Sequence, residues 1–399
     1  MTEDSRAAGS PTLEDVAKAA GVSRATVSRV INGVRNVDPV IQAAVRDAVA
    51  VTGYTPNRAA RSLVTRKADS IALVVSGAGD DPPPVAATAG PAASTSSATS
   101  AASAASAASA TSAADSAGGS RNGGRQGAGF DGGVGSFMTE VFADPFFGRV
   151  VTGVVNFLRP RGIHPVLMFA ETSLARDEVV SYLRQGSADG ALVVSTHAED
   201  PLPALITDAG LPAVLYARPA RPVRISYVDL AHQDGARLAA ERLLARGCRR
   251  IGTIAGPLDV PAGQDRLAGF RDTMARHGHP YVPVAGGEFT EESGAAAMER
   301  LLAEHPDLDG VFAANDLMAV GACQVLRERG RRVPDDVAVI GFDDSRAAAS
   351  CRPPLTTVRQ PVEDMAAEMA RLLLDRLARP DRPVTSVIFE PTLVRRASA

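Results

Sequence analysis

Few cysteines and no long apolar runs occur in this chain. The only cysteines are Cys248, Cys323 and Cys351, which are widely spaced and form no CxxC pair. This argues against a disulfide framework or a structural zinc site and suits a reducing compartment. No stretch approaches the ~18 consecutive apolar residues of a membrane-spanning helix, and the N-terminal residues lack the apolar run of a signal peptide. We therefore expect a cytoplasmic protein that does not contact a membrane.

Motifs for catalysis and for metal or cofactor binding are also missing. The six histidines do not have the spacing of metal ligands, and no GxSxG, P-loop or paired acid–base motif accompanies a strand end. We expect no catalytic residues, no metal site and no cofactor, which makes an enzyme a weak interpretation. The length of 399 residues and the hydrophobic content of 45% suit a soluble protein of two or three folding units.

Basic residues are concentrated at the start of the chain. Residues 1–67 contain ten Lys/Arg and six Asp/Glu, a net charge of +4, whereas the remainder carries −7. A basic head on an acidic body is expected where only the head meets phosphate. Ordinary scatter of charge would give similar numbers, so the order of the residues has to decide.

The head has the pattern of a helix-turn-helix. Thr12, with Asp15 three residues later, predicts a helix start, and Gly21 predicts its end because the turn needs a residue free to take positive φ. Ser23 can cap a second helix over 24–31. Its buried stripe is formed by Val27, Val30 and Ile31, and its other face carries Arg24, Ala25, Ser28 and Arg29. This second helix would enter the major groove, where arginine can read guanine and a methyl group can pack on thymine. A third helix is predicted at about 39–52.

The run TLEDVAKAAGVSRATVSRVING (12–33), followed by GYTPNRAARSL (53–63), resembles the headpiece and hinge of the LacI/GalR family of bacterial repressors. The resemblance implies a hinge helix from about Asn57 to Val64 that folds when two subunits sit on the operator. It also implies that Leu63 wedges into the minor groove and kinks the duplex; a core leucine is the alternative. The residues that we expect to contact DNA are Thr12, Ser23, Arg24, Ala25, Thr26, Arg29, Asn32, Asn57, Ala60 and Leu63.

Beyond Ser70, short apolar runs alternate with amphipathic stretches. The runs at 71–75, 164–169, 190–195, 212–217, 249–256, 310–315 and 336–344 predict buried strands, and 147–162 and 234–247 predict helices. This alternation predicts parallel sheets covered on both faces, and the number of units suggests two doubly wound subdomains. Ligands in such folds bind beyond the carboxyl ends of the strands, so the residues after each run are candidates.

Those residues combine aromatic rings with Arg, Asp and Asn, which suits a polyhydroxylated or heterocyclic ligand. The body resembles the periplasmic-binding-protein-like core of the same family, and this implies effector contacts by Arg266 of RLAGF, Asn315 of AND, Asp343 of FDD and Phe289 of GEF. We add Phe146, Ser195, Arg218 and Gln360. Arg266 could instead be a structural arginine, although a buried one needs a partner. Asp316 and Asp344 could be helix caps, and Phe147 a core residue.

Two features depart from the family pattern. Where many relatives have an Asp-Arg pair after the fourth strand, this chain has Ala217-Arg218, which removes a carboxylate acceptor for a sugar hydroxyl. The ligand could therefore be unusual or absent. Residues 77–135 are rich in Ala, Ser and Gly and poor in large apolar residues, which predicts a disordered insertion. A tolerated surface loop is the simpler interpretation, and a gate on the ligand cleft is the alternative.

We expect an all-α helix-turn-helix headpiece followed by an α/β periplasmic-binding-protein-like core of two doubly wound subdomains. The expected headpiece is 1–54, the hinge helix and linker 55–68, and the core 69–399. Within the core, the N-subdomain would comprise about 69–226 plus 360–380, and the C-subdomain about 227–356 plus 383–396.

The expected function is that of a transcriptional repressor whose affinity for operator DNA is controlled by a small, sugar-like effector. A homodimer would place one helix-turn-helix in each half of a pseudo-palindromic operator. The effector would change the angle between the subdomains and so shift the population competent to bind DNA. Residues 394–399 carry no leucine heptads, so we expect dimers and not tetramers. The alternatives are a DNA-binding regulator without an effector and, less favoured, a solute-binding protein with an accessory head.

Overall fold

The computed structural model of the chain describes residues 11–31, 37–55, 67–77, 132–195, 197 and 199–399. In the head, three helices form: α1 (Leu13–Ala20), α2 (Arg24–Ile31) and α3 (Pro39–Thr52). Thr12 and Asp15 form a reciprocal capping box at the start of α1, and Gly21 ends that helix at φ +65°. The three helices share a small core of Val16, Val27, Val45 and Ala48. The three predicted helices of the head are confirmed.

The body contains two six-stranded sheets, and the twelve strands are numbered in chain order. Sheet A has the order β11-β5-β4-β3-β1-β2, and sheet B has the order β12-β10-β9-β8-β6-β7. The described pairs are parallel except that β12 runs antiparallel to β10. Sheet A consists of β1 (Ser70–Ser76), β2 (His164–Ala170), β3 (Ala191–Ser195), β4 (Ala213–Tyr216), β5 (Ser226–Leu230) and β11 (Ser386–Phe389). Sheet B consists of β6 (Ile251–Ala255), β7 (Val284–Gly286), β8 (Gly310–Ala313), β9 (Ala338–Asp343), β10 (Thr356–Arg359) and β12 (Thr392–Val394).

Ten α-helices of the described body connect these strands. They are α4 (Gly132–Ala143), α5 (Pro145–Leu158), α6 (Ser173–Arg184), α7 (Leu202–Asp208), α8 (His232–Arg246), α9 (Pro261–Arg276), α10 (Glu291–Glu304), α11 (Asp316–Glu328), α12 (Arg346–Ser350) and α13 (Val362–Ala378). A short 3₁₀ turn (Arg159–Arg161) follows α5. The seven predicted strands are present, as are the two predicted helices, so the doubly wound architecture is confirmed.

The chain passes between the two sheets three times, and the boundaries differ from those predicted. Strand β5 pairs with β4 and β11, so 226–230 and 386–389 both belong to sheet A. The crossovers therefore fall after Leu230, after Arg359 and after Phe389. These crossovers lie a few residues from the approximate boundaries expected at 227 and 383, because β5 and β11 are short strands that carry polar residues.

The tail of the predicted insertion is helical. Helix α4 begins at Gly132 and so overlaps the end of the 77–135 segment that was expected to be disordered. Gly77 continues directly from β1 and accepts a hydrogen bond from Arg176 through its carbonyl oxygen. Residues 78–131 of that segment lie outside the described part of the chain.

Helices α5 and α13 pack closely on one face of sheet A. A Cβ atom added to Gly153 would lie 2.3 Å from the carbonyl oxygen of Glu363 and 2.9 Å from the Cβ of Ala366. Glycine is therefore required here because the two backbones approach each other directly. This contact fixes the start of α13 against α5, next to the point where the chain returns from sheet B.

In the described residues, no single helix is long and apolar enough to cross a membrane. The consecutive helical segments Phe137–Ala143 and Pro145–Arg161, bent by 78° at their junction, reach that length and composition only when taken together.

Candidate functional site

A cleft lies between the two sheets, at the carboxyl ends of their central strands. Its walls come from the start of α5 on one side and from the ends of β8 and β9 on the other. Crevices of this kind bind ligands in doubly wound folds because loops from both sides can converge on one molecule. The lining residues include Asp144, Phe146, Arg149, Asn315, Asp343 and Ser345.

Arg266 of α9 lies beside the lining residue Asp343 and is only 5% exposed. Its Nη1 donates to the carbonyl oxygen of Ala314 at 2.6 Å, and its Nη2 donates to Oε1 of Gln360 at 3.1 Å. The guanidinium also lies 3.8 Å from the centre of the Phe342 ring. Charge-assisted bonds and a π-face compensate the burial of a cation, which would otherwise be costly.

Asp343 ends β9 and faces Arg266 at 3.4 Å, from Oδ1 to Nη2. Its backbone has φ +104°, in the left-handed region that non-glycine residues rarely adopt. Burial raises the pKa of Asp343 to about 7; Arg266 opposes this rise, while the carboxylates of Asp316 and Asp144 add to it. A carboxyl group that titrates near neutrality can either donate or accept a hydrogen bond from a ligand hydroxyl.

Gln360 and Phe146 form an amphipathic wall with Tyr216. The amide nitrogen of Gln360 donates to the Tyr216 hydroxyl at 3.0 Å. The Phe146 ring meets the Tyr216 ring edge-to-face, with 5.1 Å between centroids. Rings beside buried hydrogen-bonding groups provide the mixed surface that a sugar ring needs. The neighbouring Phe147 is buried in the core, as the alternative interpretation expected.

Asn315 and Phe289 lie at the cleft but are engaged with each other. Asn315 caps α11 by accepting from the backbone N–H of Met318 at 2.9 Å, and its side-chain nitrogen donates to the Phe289 carbonyl oxygen at 2.8 Å. Phe289 has φ +60°, and its ring lies 5.9 Å from the Arg266 guanidinium. These two bonds use one N–H and one oxygen lone pair of the Asn315 amide, so a ligand contact does not require that either bond be broken.

Ser195 and Arg218 are not among the residues that line the cleft, and their side chains are paired elsewhere. Ser195 donates from its hydroxyl to Asp200 at 2.6 Å. Arg218 is half exposed and pairs with Asp265 of α9 at 2.6 Å, across the rim of the cleft. The structure thus brings Arg266, Asp343, Gln360 and Phe146 together and leaves Ser195 and Arg218 at the periphery.

The two aspartates expected as possible caps have other roles. Asp316 is buried and accepts from the Thr357 hydroxyl at 2.6 Å and from the Ser345 backbone N–H at 2.7 Å, and burial raises its pKa to about 6. Asp344 pairs with Arg359 at 2.7 Å and with Arg396 at 2.6 Å. Both side chains hold loops at the carboxyl edge of sheet B.

Three residues near the site were not predicted from the sequence. Asp144 caps α5 through the Phe146 backbone N–H, and burial raises its pKa. Arg149 of α5 donates to the Asp343 carbonyl oxygen at 2.8 Å, which links the two sides of the cleft. His232 accepts from Nε of Arg266 at 3.3 Å. Only Asp144 had a sequence signal, because an aspartate before proline is a typical helix start.

The predicted DNA contacts lie in the head. Arg24, Ala25 and Arg29 are exposed on α2, and Ser23 and Thr12 are exposed directly before α2 and α1. Thr26 is half-buried and donates its backbone N–H to Ser23 at 3.1 Å, and Arg24 pairs with Glu14 at 3.2 Å with both side chains open to solvent. Asn32, Asn57, Ala60 and Leu63 lie outside the described residues.

The part of the chain that the structure describes contains no group of three or more His, Cys, Asp or Glu side chains that could hold a metal ion.

Comparison with known proteins gives consistent matches for head and body. Residues 12–57 match the profile of bacterial regulatory proteins of the lacI family, and residues 240–399 match that of the periplasmic binding protein-like domain. The chain is 40% identical over 392 residues to the HTH-type transcriptional regulator CelR of Thermobifida fusca, covering 97% of this chain and 98% of the relative. It is 30% identical to the HTH-type transcriptional repressor PurR of Edwardsiella ictaluri, covering 97% of this chain and 96% of that protein.

Two solved structures are similar along their whole lengths. The complex of the transcriptional regulator CelR with cellobiose has a TM-score of 0.65 at 38% identity, covering 98% of this chain and 100% of that one. The lac repressor dimer bound to operator and the anti-inducer ONPF has a TM-score of 0.73 at 23% identity, covering 98% and 99%. At 23% identity, the similarity to the lac repressor is evidence for the fold alone.

Proposed function

We propose, given that the chain belongs to the LacI family of bacterial regulatory proteins and is a DNA-binding transcriptional regulator, that it is a repressor controlled by a sugar. The sugar that we propose is a glucose disaccharide of the cellobiose type, bound in the cleft between the two subdomains. The observation that carries this proposal is the buried cluster of Arg266, Asp343 and Gln360 beside the aromatic wall of Phe146 and Tyr216.

The chemistry of this cluster favours a polyhydroxylated ligand. A guanidinium donates in a fixed geometry, and an aspartate and an amide supply acceptors, so adjacent hydroxyl groups can be bound in pairs. The nearby rings can stack on the apolar face of a pyranose. A planar heterocycle such as a purine is the competing ligand class, because the same rings can stack on a base and the same polar groups can hydrogen-bond its edge. The missing carboxylate at Ala217 distinguishes this cleft from the expected family pattern and favours a sugar that is held mainly from the Arg266 side.

The DNA-binding role follows from the head. We propose that α2 enters the major groove with Arg24, Ala25 and Arg29 toward the bases, and that two copies of the chain read a pseudo-palindromic operator. Thr12, Ser23 and Thr26 would then lie near the backbone, where hydroxyl groups and backbone amides contact phosphate. Asn32, Asn57, Ala60 and Leu63 stay predictions from the family resemblance.

Calorimetry of the full-length protein with cellobiose, glucose, ribose and guanine tests the proposal. We expect heat of binding with cellobiose and none with guanine. Arg266→Ala should weaken cellobiose binding by about 10- to 100-fold, because a hydrogen bond from a charged donor is worth ~1.5–3 kcal/mol. Arg276→Ala, which removes an exposed arginine from the same helix, is the matched control and should bind like the wild type.

Binding of guanine without cellobiose would refute the sugar proposal. No heat with any of the four ligands would favour the regulator that acts without these effectors. Thermal unfolding of both variants establishes that they are folded, since removal of Arg266 leaves Asp343 without its cation.

A further inference from the structure

Two of the three crossovers between the subdomains meet at the Arg266 guanidinium. The first crossover leads from β5 through Ala231 into α8, and His232 is the first residue of that helix. The second leads from β10 through Gln360 into α13. Arg266 donates to both side chains, to His232 from Nε and to Gln360 from Nη2. Arg266 therefore links two of the segments about which the subdomains must rotate.

His232 continues this contact back into the first subdomain. Its Nε2 lies 3.5 Å from Oδ1 of Asp229, which is part of β5 in sheet A. The imidazole is 6% exposed, and its ring packs beside Phe342. Asp229 is equally buried, and its carboxylate also accepts from the Leu230 backbone N–H at 2.9 Å. A continuous path of contacts therefore runs from sheet A through His232 to Arg266.

The geometry selects one form of the imidazole. Arg266 can only donate, so Nδ1 of His232 has to be the unprotonated acceptor. The ring proton then sits on Nε2, where it can be donated to Asp229. Burial lowers the pKa of His232 and the charge of Arg266 lowers it further, whereas Asp229 and Asp265 raise it. Protonation of Nδ1 would break the bond to Arg266 and place two cations in contact.

We propose that His232 is a positioning residue that links the sugar-binding arginine to the β5–α8 crossover. It orients Arg266 through Nδ1 and is itself oriented from sheet A by Asp229. A ligand that accepts hydrogen bonds from Arg266 changes the contact between Arg266 and His232. This change alters the angle at which the two subdomains meet. This inference rests on the proposed function for its sugar, but the imidazole geometry does not depend on any ligand.

A pair of amide substitutions separates the two contacts of His232. Asparagine places its amide close to the Nδ1 position and can still accept from Arg266, but it does not reach Asp229. Glutamine places its amide close to the Nε2 position and can still donate to Asp229, but it offers no acceptor to Arg266. His277→Asn, at an exposed histidine just beyond the end of α9, is the matched control.

The functional test measures cellobiose affinity by calorimetry and operator affinity with and without cellobiose. The operator is a pseudo-palindromic duplex selected in vitro with this protein. We expect His232→Gln to weaken cellobiose binding about tenfold. His232→Asn should keep cellobiose affinity within about threefold of the wild type but lose most of the sugar-induced change in operator affinity. Equal behaviour of the two variants, or a wild-type response in both, would overturn the proposal.

The structural test needs no sugar. Nitrogen-15 spectra of histidine side chains in the full-length protein should show His232 as a neutral ring with the proton on Nε2 at pH 7. In Arg266→Lys, which keeps the charge but loses the Nε donor, the Nδ1 signal should shift. A charged ring, the opposite tautomer or an unshifted Nδ1 signal would contradict the link. If the wild type shows no heat with cellobiose, the proposed sugar is wrong, and these spectra alone decide the role of His232.

Discussion

Replacing Asp343 by asparagine should remove a pH dependence of stability that the wild-type protein shows between about pH 4 and pH 7. The carboxyl group is partly buried at the end of β9, and its pKa rises from 3.8 to about 7. As the pH rises through this window, the unfolded chain loses the proton while the folded protein retains it. The folded state binds more protons, so its free energy of unfolding falls with rising pH.

The size of the effect follows from the pKa values. Each pKa unit corresponds to about 1.4 kcal/mol, so the difference between 3.8 and about 7 corresponds to roughly 4 kcal/mol at most. Asparagine is neutral at all pH values and retains an acceptor for Arg266. We therefore expect the asparagine variant to gain stability relative to the wild type as the pH rises, with little difference near pH 4 and up to a few kcal/mol at pH 7.5.

Asp344→Asn is the matched control because the adjacent aspartate has the opposite shift. Arg396 and Arg359 overcome the effect of burial and hold the pKa of Asp344 below its usual value. The stability contributed by this group is present above the unfolded pKa and is lost only as the pH falls through the lower folded value. Its substitution should therefore destabilise the protein by a constant amount between pH 4.5 and pH 7.5, since both pKa values lie below that window.

Urea unfolding of the wild type and both variants at pH 4.5, 6.0 and 7.5, without ligand, measures these differences. A difference between Asp343→Asn and the wild type that does not change with pH would refute the reasoning. It would mean that Arg266 keeps Asp343 ionised in the folded protein and that burial does not dominate.

Three further outcomes are expected. Gly153→Ala should destabilise the protein by about 1–3 kcal/mol, because the new methyl group meets backbone across the α5–α13 contact. Gly148→Ala, which adds a methyl group with nothing within 4 Å, should be neutral or mildly stabilising. Thermal unfolding compares the two variants. Arg29→Ala should cost ~1–3 kcal/mol at one base pair of each half-site in competition gel shifts, and an equal loss on all sequences would place Arg29 on phosphate instead. A double-mutant cycle on Arg218 and Asp265 that measures cellobiose affinity should give a coupling energy of about 0.2–1 kcal/mol, because the ion pair is partly exposed. A larger coupling energy would show that the ion pair holds the cleft closed.

Seven of the twelve strands, including the edge strand β2, could be predicted from the sequence as apolar runs, whereas β5, β7, β10, β11 and β12 could not. Strands such as β3 and β8 are buried on both faces and appear as continuous apolar runs. Strand β11 carries exposed residues at the edge of sheet A, and β7 is only three residues long. Short edge strands lack an apolar run because one side meets solvent, so their pairing depends on the assembled sheet.

Sequence motifs could predict the charged residues of the site, but they could not predict the contacts between those residues. Arg266 and Asp343 stand in recognisable positions after strands, and the structure places them 3.4 Å apart. His232 lies 34 residues from Arg266 in sequence, and Arg149 lies 194 residues from Asp343. Such pairs depend on how the two sheets are placed against each other, which no local pattern contains.

The three crossovers also determine the order in which the protein can be completed during synthesis. Sheet A takes its last strand from residues 386–389, and α13, which covers α5, is also made late. A nascent chain that ends after Leu230 would expose the apolar side of α5, including Val150 and Val154. Neither subdomain can therefore be finished by the ribosome before the other is almost complete. Long-range pairing of this kind slows folding and lengthens the time for which a nascent chain depends on chaperones.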